Sequence, residues 1–413
     1  MKRVLLAYSG GLDTSVMIPW LKEHYGCEVI AFCADLGQEE FEGLEERALA
    51  AGASSLIIKD LKQEFLKDYA FKGLKAGAKY EGKYLLGTAL ARPLIAKALA
   101  QKALELGVDA IAHGCTGKGN DQVRFELGIM AFAPQMKVIA PWRFWELNSR
   151  EKEIAYAEQH GLKLTISRET NYSKDKNIWH LSHEGLDLED VANKPKYEKI
   201  LELCKSPQSA ADKEFELKIG FKMGMPVSLN GKEMDALSLV KELNKIAGEA
   251  GVGILDLVEN RLIGMKSRGV YETPAGSVLH AAHEFLEELC LDKDTLHFKQ
   301  SSIAPRIAQL IYDGLWFSPL FAALSAFVEV TQSKVSGEVE LILYKGNIIK
   351  KSVSSPCSLY SQAFATFDED DIFSHAHSEG FISIFGLPTK VQALLNYDLK
   401  GGETALGAIF GRD

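Results

Sequence analysis

The chain has 413 residues, room for two or three domains of about 150 residues each, and its 46% hydrophobic and 25% charged residues exclude disorder as a whole-chain state. A formal charge of −9 leaves no global positive field for a nucleic-acid backbone or an anionic membrane, which favours small substrates over polyanions. No apolar run approaches the ~18 residues needed to span a bilayer, and the stretch between Arg3 and Ser9 is too short for a signal peptide's core. A cytoplasmic protein is expected, with no nucleic-acid or membrane partner.

In chain order, unalternating apolar runs at 4–8, 29–34, 55–58, 110–113 and 138–140, and a weaker one at 164–166, alternate with longer amphipathic runs at 14–23, 39–51, 88–106, 122–133 and 150–160. This alternation predicts an α/β domain, a parallel sheet with helices on both faces. Beyond it, Phe215, Leu217, Ile219 and Phe221 alternate with Glu216, Lys218 and Gly220, predicting a half-buried antiparallel strand whose hairpin returns at Asn230-Gly231. A second hairpin is expected over 339–344 and 348–353, with helices over 236–250, 276–290, 303–313 and 318–330. The expected domains are 1–167, 168–360 (α+β) and a tail, 361–413, whose acidic cluster at 368–371 and apolar segment at 391–395 suit either a solvated helix or a subunit contact. The six cysteines, Cys27, Cys33, Cys115, Cys204, Cys290 and Cys357, form no Cys-x-x-Cys pair and read as reduced thiols. His280, His283 and Glu284 have a spacing that could hold a metal, but read better as a helix face; Trp142, Trp145, Trp179 and Trp316 read as packing residues.

Two loops carry the chemistry. Ser9-Gly10-Gly11-Leu12-Asp13-Thr14-Ser15 follows the first strand and opens the first helix. Its adjacent glycines free the backbone to turn N–H groups toward a ligand, and the helix start is electropositive, so a polyphosphate fits there. The Gly-Lys-Ser/Thr ending of a Walker loop is absent. The second loop, 114–126, again lies between a strand and a helix, so both should open on one crevice. Thr116, Asn120 and Asp121 offer a hydroxyl, an amide and a carboxylate suited to an α-amino acid, and Arg124 suits a further carboxylate.

The first loop resembles the S-G-G-x-D-[ST]-S loop of the N-type ATP pyrophosphatases, which hold ATP by its β,γ-pyrophosphate. Together with Tyr84-Leu85-Leu86-Gly87-Thr88, the 114–126 run, Ala140-Pro141-Trp142-Arg143, Val258-Glu259-Asn260-Arg261 and the block from Gly264 to Gly276, it resembles the argininosuccinate synthase family. The resemblance implies a nucleotide-binding domain of adenine nucleotide alpha hydrolase-like type, a synthetase domain and an oligomerisation tail in a homotetramer. It also implies condensation of citrulline with aspartate, driven by cleavage of ATP to AMP and pyrophosphate, with Mg²⁺ arriving on the nucleotide rather than on dedicated protein ligands.

By the same resemblance ATP would meet Ala7, Tyr8, Ser9, Gly10, Gly11, Leu12, Asp13, Thr14, Ser15, Ala34 and Gly114. Aspartate would meet Thr116, Asn120 and Asp121, and citrulline Tyr84, Thr88, Asn120, Arg124, Ser173, Ser182, Glu259 and Tyr271. Asp13 and Ser9 would act by positioning and charge stabilisation, with no covalent nucleophile. One position departs: Ala89 stands where the family often has Ser, so a citrulline hydrogen bond is missing or supplied by Thr88 or water. His180 and His183 flank Ser182 and could line the same pocket. The alternatives are another pyrophosphatase-loop ligase acting on tRNA, which would call for a basic surface and paired cysteines, and a non-catalytic nucleotide sensor, which would not need the amino-acid contacts.

Overall fold

A computed structural model describes residues 1–38, 41–117, 119–162, 172–365 and 374–398. Strands β1 (Arg3–Ala7), β2 (Glu28–Asp35), β3 (Ser55–Asp60), β4 (Ala110–Ala112) and β5 (Lys137–Ile139) form one sheet in the order β3-β2-β1-β4-β5, parallel throughout. Side chains alternate across a strand, so on β1 Leu5 enters one hydrophobic core while Val4 and Leu6 enter another. Strand order reverses at β1, whose neighbours are β2 and β4. The carboxyl ends of β1 and β4 therefore flank the crevice where ligands bind in open parallel sheets.

Helices α1 (Leu12–Tyr25), α2 (Leu44–Ala50), α3 (Gly87–Leu106), α4 (Asp121–Phe132) and α5 (Arg150–Gln159) occupy the predicted stretches. α3 and α4 approach closely because the facing residues are small: a Cβ on Gly128 would lie 2.5 Å from Cβ of Ala96. α2 starts later than the 39–51 pattern suggests, after Gly43 at φ 66°. The 164–166 run, the acidic cluster at 368–371 and residues 39–40 lie outside the described residues. Residues 62–76, given no element by periodicity, are helical, with a π-turn at Phe65–Ala70. Phe65, Leu66, Tyr69, Phe71 and Leu74 enter the core there, and the wider turn blurs the 3.6-residue period.

Downstream, β6 (Ser173–Asn177), β7 (His180–Glu184), β8 (Phe215–Lys222), β9 (Met225–Leu229), β10 (Lys232–Glu233), β11 (Ile254–Asn260), β12 (Lys266–Glu272), β13 (Gly337–Tyr344) and β14 (Asn347–Ser354) build two antiparallel sheets, β11-β12-β7-β6 and β10-β9-β8-β13-β14. Helices α6 (Ala236–Glu249), α7 (Pro274–Cys290), α8 (Ala304–Tyr312) and α9 (Pro319–Gln332) match the predicted ones. The first strand does not return at Asn230-Gly231. Met223-Gly224 makes that turn with φ 51° and 76°, and Asn230-Gly231 closes the next hairpin, β9 to β10. Met223 takes the left-handed conformation without the usual Asn or Gly, so composition gave no signal.

Met1–Leu359 form one compact unit and Tyr360–Asp413 a second. The expected boundary at 167/168 lies outside the described residues; one hydrophobic core includes residues from Leu5 to Leu343. In the second unit, α10 (Ala376–Phe385) and α11 (Leu387–Asp398) expose Phe381, Ile382, Ile384 and Phe385. Among the described residues no helix is long and apolar enough to cross a membrane, no group of three metal-ligating side chains occurs, and the six cysteines are free. His283 shares a hydrogen bond with Gln332, and Glu284 pairs with Lys79. Trp145, Trp179 and Trp316 are buried, and Trp142 packs against the cluster that holds Trp145, whereas Trp179 and Trp316 belong to the other core.

Candidate active site

The glycine loop leaves β1 through Tyr8, which is buried and shares a hydrogen bond of 3.2 Å between its hydroxyl and that of Ser15. Gly10 sits at φ +80°, where a Cβ would also come within 2.4 Å of the Leu44 side chain. No side chain caps α1: its cap is Gly11, and the first helical bond is Ser15 N–H to the Gly11 carbonyl. The N–H groups of Leu12, Asp13 and Thr14 thus lie at an uncapped helix start beside the exposed Ser9. Ser9 and Thr14 hydroxyls meet at 3.2 Å, which fixes the loop's inner edge. That arrangement is an anion cradle made of backbone.

Gly114, at the end of β4, lets the second loop close on the first: a Cβ there would be 3.2 Å from Thr14 and 3.3 Å from Met17. The second loop is braced from behind. Arg143 donates to Gln122 Oε1 at 2.9 Å, and Gln122 Nε2 donates to the carbonyls of Gly117 at 2.7 Å and Gly119 at 3.2 Å. This accounts for the Trp142-Arg143 block. Cys115 N–H donates to His113 Nδ1, so Nε2 carries the proton that reaches Glu126 at 3.2 Å. Ala7 ends β1 and Ala34 is the last residue but one of β2, both at the carboxyl end of the parallel sheet, and Thr116 is exposed on the loop.

The third wall is the four-stranded sheet. Its register pairs Glu259 with Ser267, Tyr271 with Leu255 and Ser182, Ser182 with Asp175, and Glu184 with Ser173. With a two-residue repeat this puts Ser173, Ser182, Glu259 and Tyr271 on one face. Ser182 and Tyr271 are direct neighbours; Ser173 is the exposed end of the row. Tyr84 reaches this face, 4.7 Å from the Tyr271 ring, and its hydroxyl accepts the Thr88 N–H at 3.4 Å. A cavity of about 250 Å³ lies behind Tyr84 and Tyr271, among Lys79, Thr273, His280 and Glu284. His180 is on the same face, beside both tyrosines, and burial pulls it down to about 4, so it is neutral. His183 turns to the opposite face and bonds Glu272 at 2.8 Å. Ala89 is fully buried in the core rather than facing the cavity, while Thr88 is half-buried.

Arginines join the second loop to this wall. Arg92 donates to Asp121 through Nε at 2.9 Å and Nη2 at 2.8 Å, and to Asp175 on β6 at 2.8 Å. Arg124 takes the other Asp121 oxygen at 3.0 Å. Burial works against charge on Asp121, but the two arginines hold it below the usual carboxylate range. Asn120 is buried, accepts the Leu262 N–H at 3.0 Å and donates to the Tyr312 hydroxyl at 2.9 Å. Glu259 is 4% exposed, and its Oε2 has no partner in the chain. Burial, then the nearby Glu184, push it up to about 6.

Two family models cover nearly all of the chain: the arginosuccinate synthase N-terminal HUP domain over residues 3–163 and the arginosuccinate synthase C-terminal domain over 172–392. Among curated relatives, the argininosuccinate synthase of Clostridium botulinum (strain Eklund 17B) is 59% identical over 97% of this chain and 99% of its own length. That of Clostridium perfringens (strain 13) is 59% identical over 96% and 98%, and that of Acetivibrio thermocellus 58% over 97% and 99%. The chain belongs to the argininosuccinate synthase family. It is accordingly a carbon–nitrogen ligase that uses ATP.

Within this argininosuccinate synthase family member, two neighbours of the candidate site besides Arg92 carry no signal in the sequence. Glu153, on α5, is 2% exposed and touches the Asp13 carboxyl. Burial and the neighbouring Asp13 push it up to about 9; burial raises Asp13 too, against the hydrogen bond from Glu153 and the field of Arg150. Two carboxyls in contact share a proton. The second is Tyr312, at the end of α8, which reads in sequence as one more apolar position of Leu310-Ile311-Tyr312.

Proposed function

We propose that the chain joins L-citrulline to L-aspartate in the cytoplasm, in arginine biosynthesis, through a citrulline-adenylate. The ureido oxygen attacks the α-phosphorus of ATP and pyrophosphate leaves; the aspartate amine then attacks the ureido carbon and AMP leaves. In this reading the residues 7–15, Ala34 and Gly114 hold the nucleotide. The uncapped N–H groups of Leu12 to Thr14 and the Ser9 hydroxyl take the charge of the departing pyrophosphate, which grows along the reaction. Asp13, sharing a proton with Glu153, adds less negative charge beside the polyphosphate than two free carboxylates would. Thr116, Asn120 and Asp121 receive aspartate, and Tyr84, Thr88, Asn120, Arg124, Ser173, Ser182, Glu259 and Tyr271 receive citrulline.

The observation that carries the reading is the unpartnered, buried oxygen of Glu259 on the face that also bears Ser182 and Tyr271. A buried carboxylate oxygen without a donor is costly unless a ligand supplies one, and the N–H groups of a ureido substrate do. The chemistry is positioning and electrostatics, so no nucleophilic triad is needed. Mg²⁺ comes with the nucleotide. The exposed Phe381 and Phe385 of the second unit suit burial between subunits of a homotetramer, and light scattering reads that state directly. The test of function is pyrophosphate release from Mg-ATP with each amino acid omitted in turn. Sustained turnover is expected only with both, and release indifferent to either overturns the proposal.

A further inference from the structure

Tyr312 touches three of the residues to which the citrulline site is assigned. Its hydroxyl accepts from Asn120 Nδ2 at 2.9 Å and lies beside the Glu259 carboxylate. Its carbonyl accepts from Arg124 Nε at 2.9 Å, and the guanidinium of Arg124 stands 4.8 Å from its ring centroid. The other face of the ring is stacked on Tyr80, 3.6 Å away and 3° from parallel, and Tyr80 is itself fixed by its hydroxyl on the Asn260 carbonyl at 2.6 Å. The turn after Tyr312 is pressed onto α4: a Cβ on Gly314 would lie 2.9 Å from Cα of Arg124.

A core tyrosine needs one partner for its hydroxyl. This one is clamped by Tyr80 and Arg124, and its hydroxyl is taken by Asn120, from the loop after β4, beside Glu259 on β11. Asn120 is thereby left with a single orientation, its oxygen on Leu262 and its amide on Tyr312. Arg124 is held between Asp121 and the Tyr312 ring. We propose that Tyr312 is a positioning residue of the citrulline site, its hydroxyl and ring holding Asn120, Arg124 and Glu259 in the orientation that receives the substrate. The proposal rests on the assignment of those three residues to citrulline.

The charged groups facing Glu259 are Glu184 and Arg261 from the second sheet and Arg124 from α4; the phenols of Tyr80, Tyr84 and Tyr271 lie close as well. A donor on the charged form lowers a carboxyl's pKa, so removing the Tyr312 hydroxyl raises that of Glu259. Tyr312→Phe keeps the stack on Tyr80 and the contact with Arg124, and so keeps the fold. The expected result is a KM for citrulline raised roughly 10- to 100-fold, the size of one lost hydrogen bond to a charged group, with KM for ATP and the melting temperature near wild type. The acid limb of kcat/KM for citrulline moves to higher pH. In a double-mutant cycle, Tyr312→Phe adds little to Glu259→Gln, because one acts through the other.

A Tyr312→Phe enzyme with wild-type citrulline KM and acid limb, alongside a Glu259→Gln enzyme that loses citrulline affinity, overturns the role of Tyr312 alone. Strict additivity in the cycle does the same. A Glu259→Gln enzyme with unchanged citrulline KM overturns the assignment of the wall, and the Tyr312 proposal with it.

Discussion

The glycine loop and the four-stranded wall of the candidate site are built by opposite means. Residues 9–15 are contiguous, half-exposed, and present mainly backbone N–H groups of an uncapped helix. The wall draws Tyr84, Ser182, Glu259 and Tyr271 from across nearly 190 positions, presents side chains, and buries them. Backbone donors need a turn and a helix start, both written locally. Buried side chains need a register and a counter-charge, and burial then perturbs their protonation: Glu259 sits at about 6 while the tyrosines beside it are pushed up. A site with one wall of each kind should fail in two distinguishable ways.

The largest effect is expected at the loop. Gly10→Ala places a Cβ at φ +80° against Leu44, and we expect kcat/KM for ATP to fall by about 100-fold or more, in line with losing preorganised donors to a developing charge, measured by pyrophosphate release. A mild effect would mean that loop shape is not what binds the phosphates. Next, Glu259→Gln should raise the citrulline KM at least ~10-fold and abolish the acid limb near pH 6. The sign follows from the carboxylate being the accepting form: wild-type activity drops as pH falls through about 6, and an amide has nothing to titrate.

A smaller effect tests whether the loop borrows a buried side chain after all. Glu153 is raised to about 9 in the fold, above its value in the unfolded chain, so the folded state binds the extra proton. Wild-type stability therefore declines as pH rises from the ordinary carboxyl range toward 9. Glu153→Gln keeps a donor for Asp13 without that cost. Its melting temperature should exceed wild type by roughly 1 to 3 °C at pH 8, with the gap widening as pH rises, and a gap independent of pH would place the pair's proton elsewhere. The smallest effect is at Ala89, buried in the core: Ala89→Ser should leave the citrulline KM within about twofold and cost about 1 kcal/mol of stability, by thermal unfolding. A large gain in citrulline affinity would bring that helix position into the site.

Much of the fold was legible because parallel strands buried on both faces are continuous apolar runs, as at Val4–Leu6 and Ala110–Ala112. The π-turned segment at 62–76 was not, because its period departs from 3.6, and neither was the turn at Met223-Gly224, because Met is an unusual residue at positive φ. In the candidate site, Gly10, Gly11 and Gly114 stand out in the sequence by type and spacing. Arg92, Glu153 and Tyr312 do not: each stands in a helix pattern, and nothing local separates a salt-bridging arginine, a proton-sharing acid or a site tyrosine from its neighbours.

By itself the sequence determined the alternation of strand and helix, the position of both loops, and the family. Those follow from local periodicity and from backbone freedom at glycine, which need no partner. Only the tertiary structure decided that His183 turns away while His180 faces the tyrosines, that Asp121 is gripped by two arginines, and that Tyr312 links Asn120, Arg124 and Glu259. Orientation and protonation depend on strand register and on which charges are buried together, and those are settled by contacts between residues far apart in the chain.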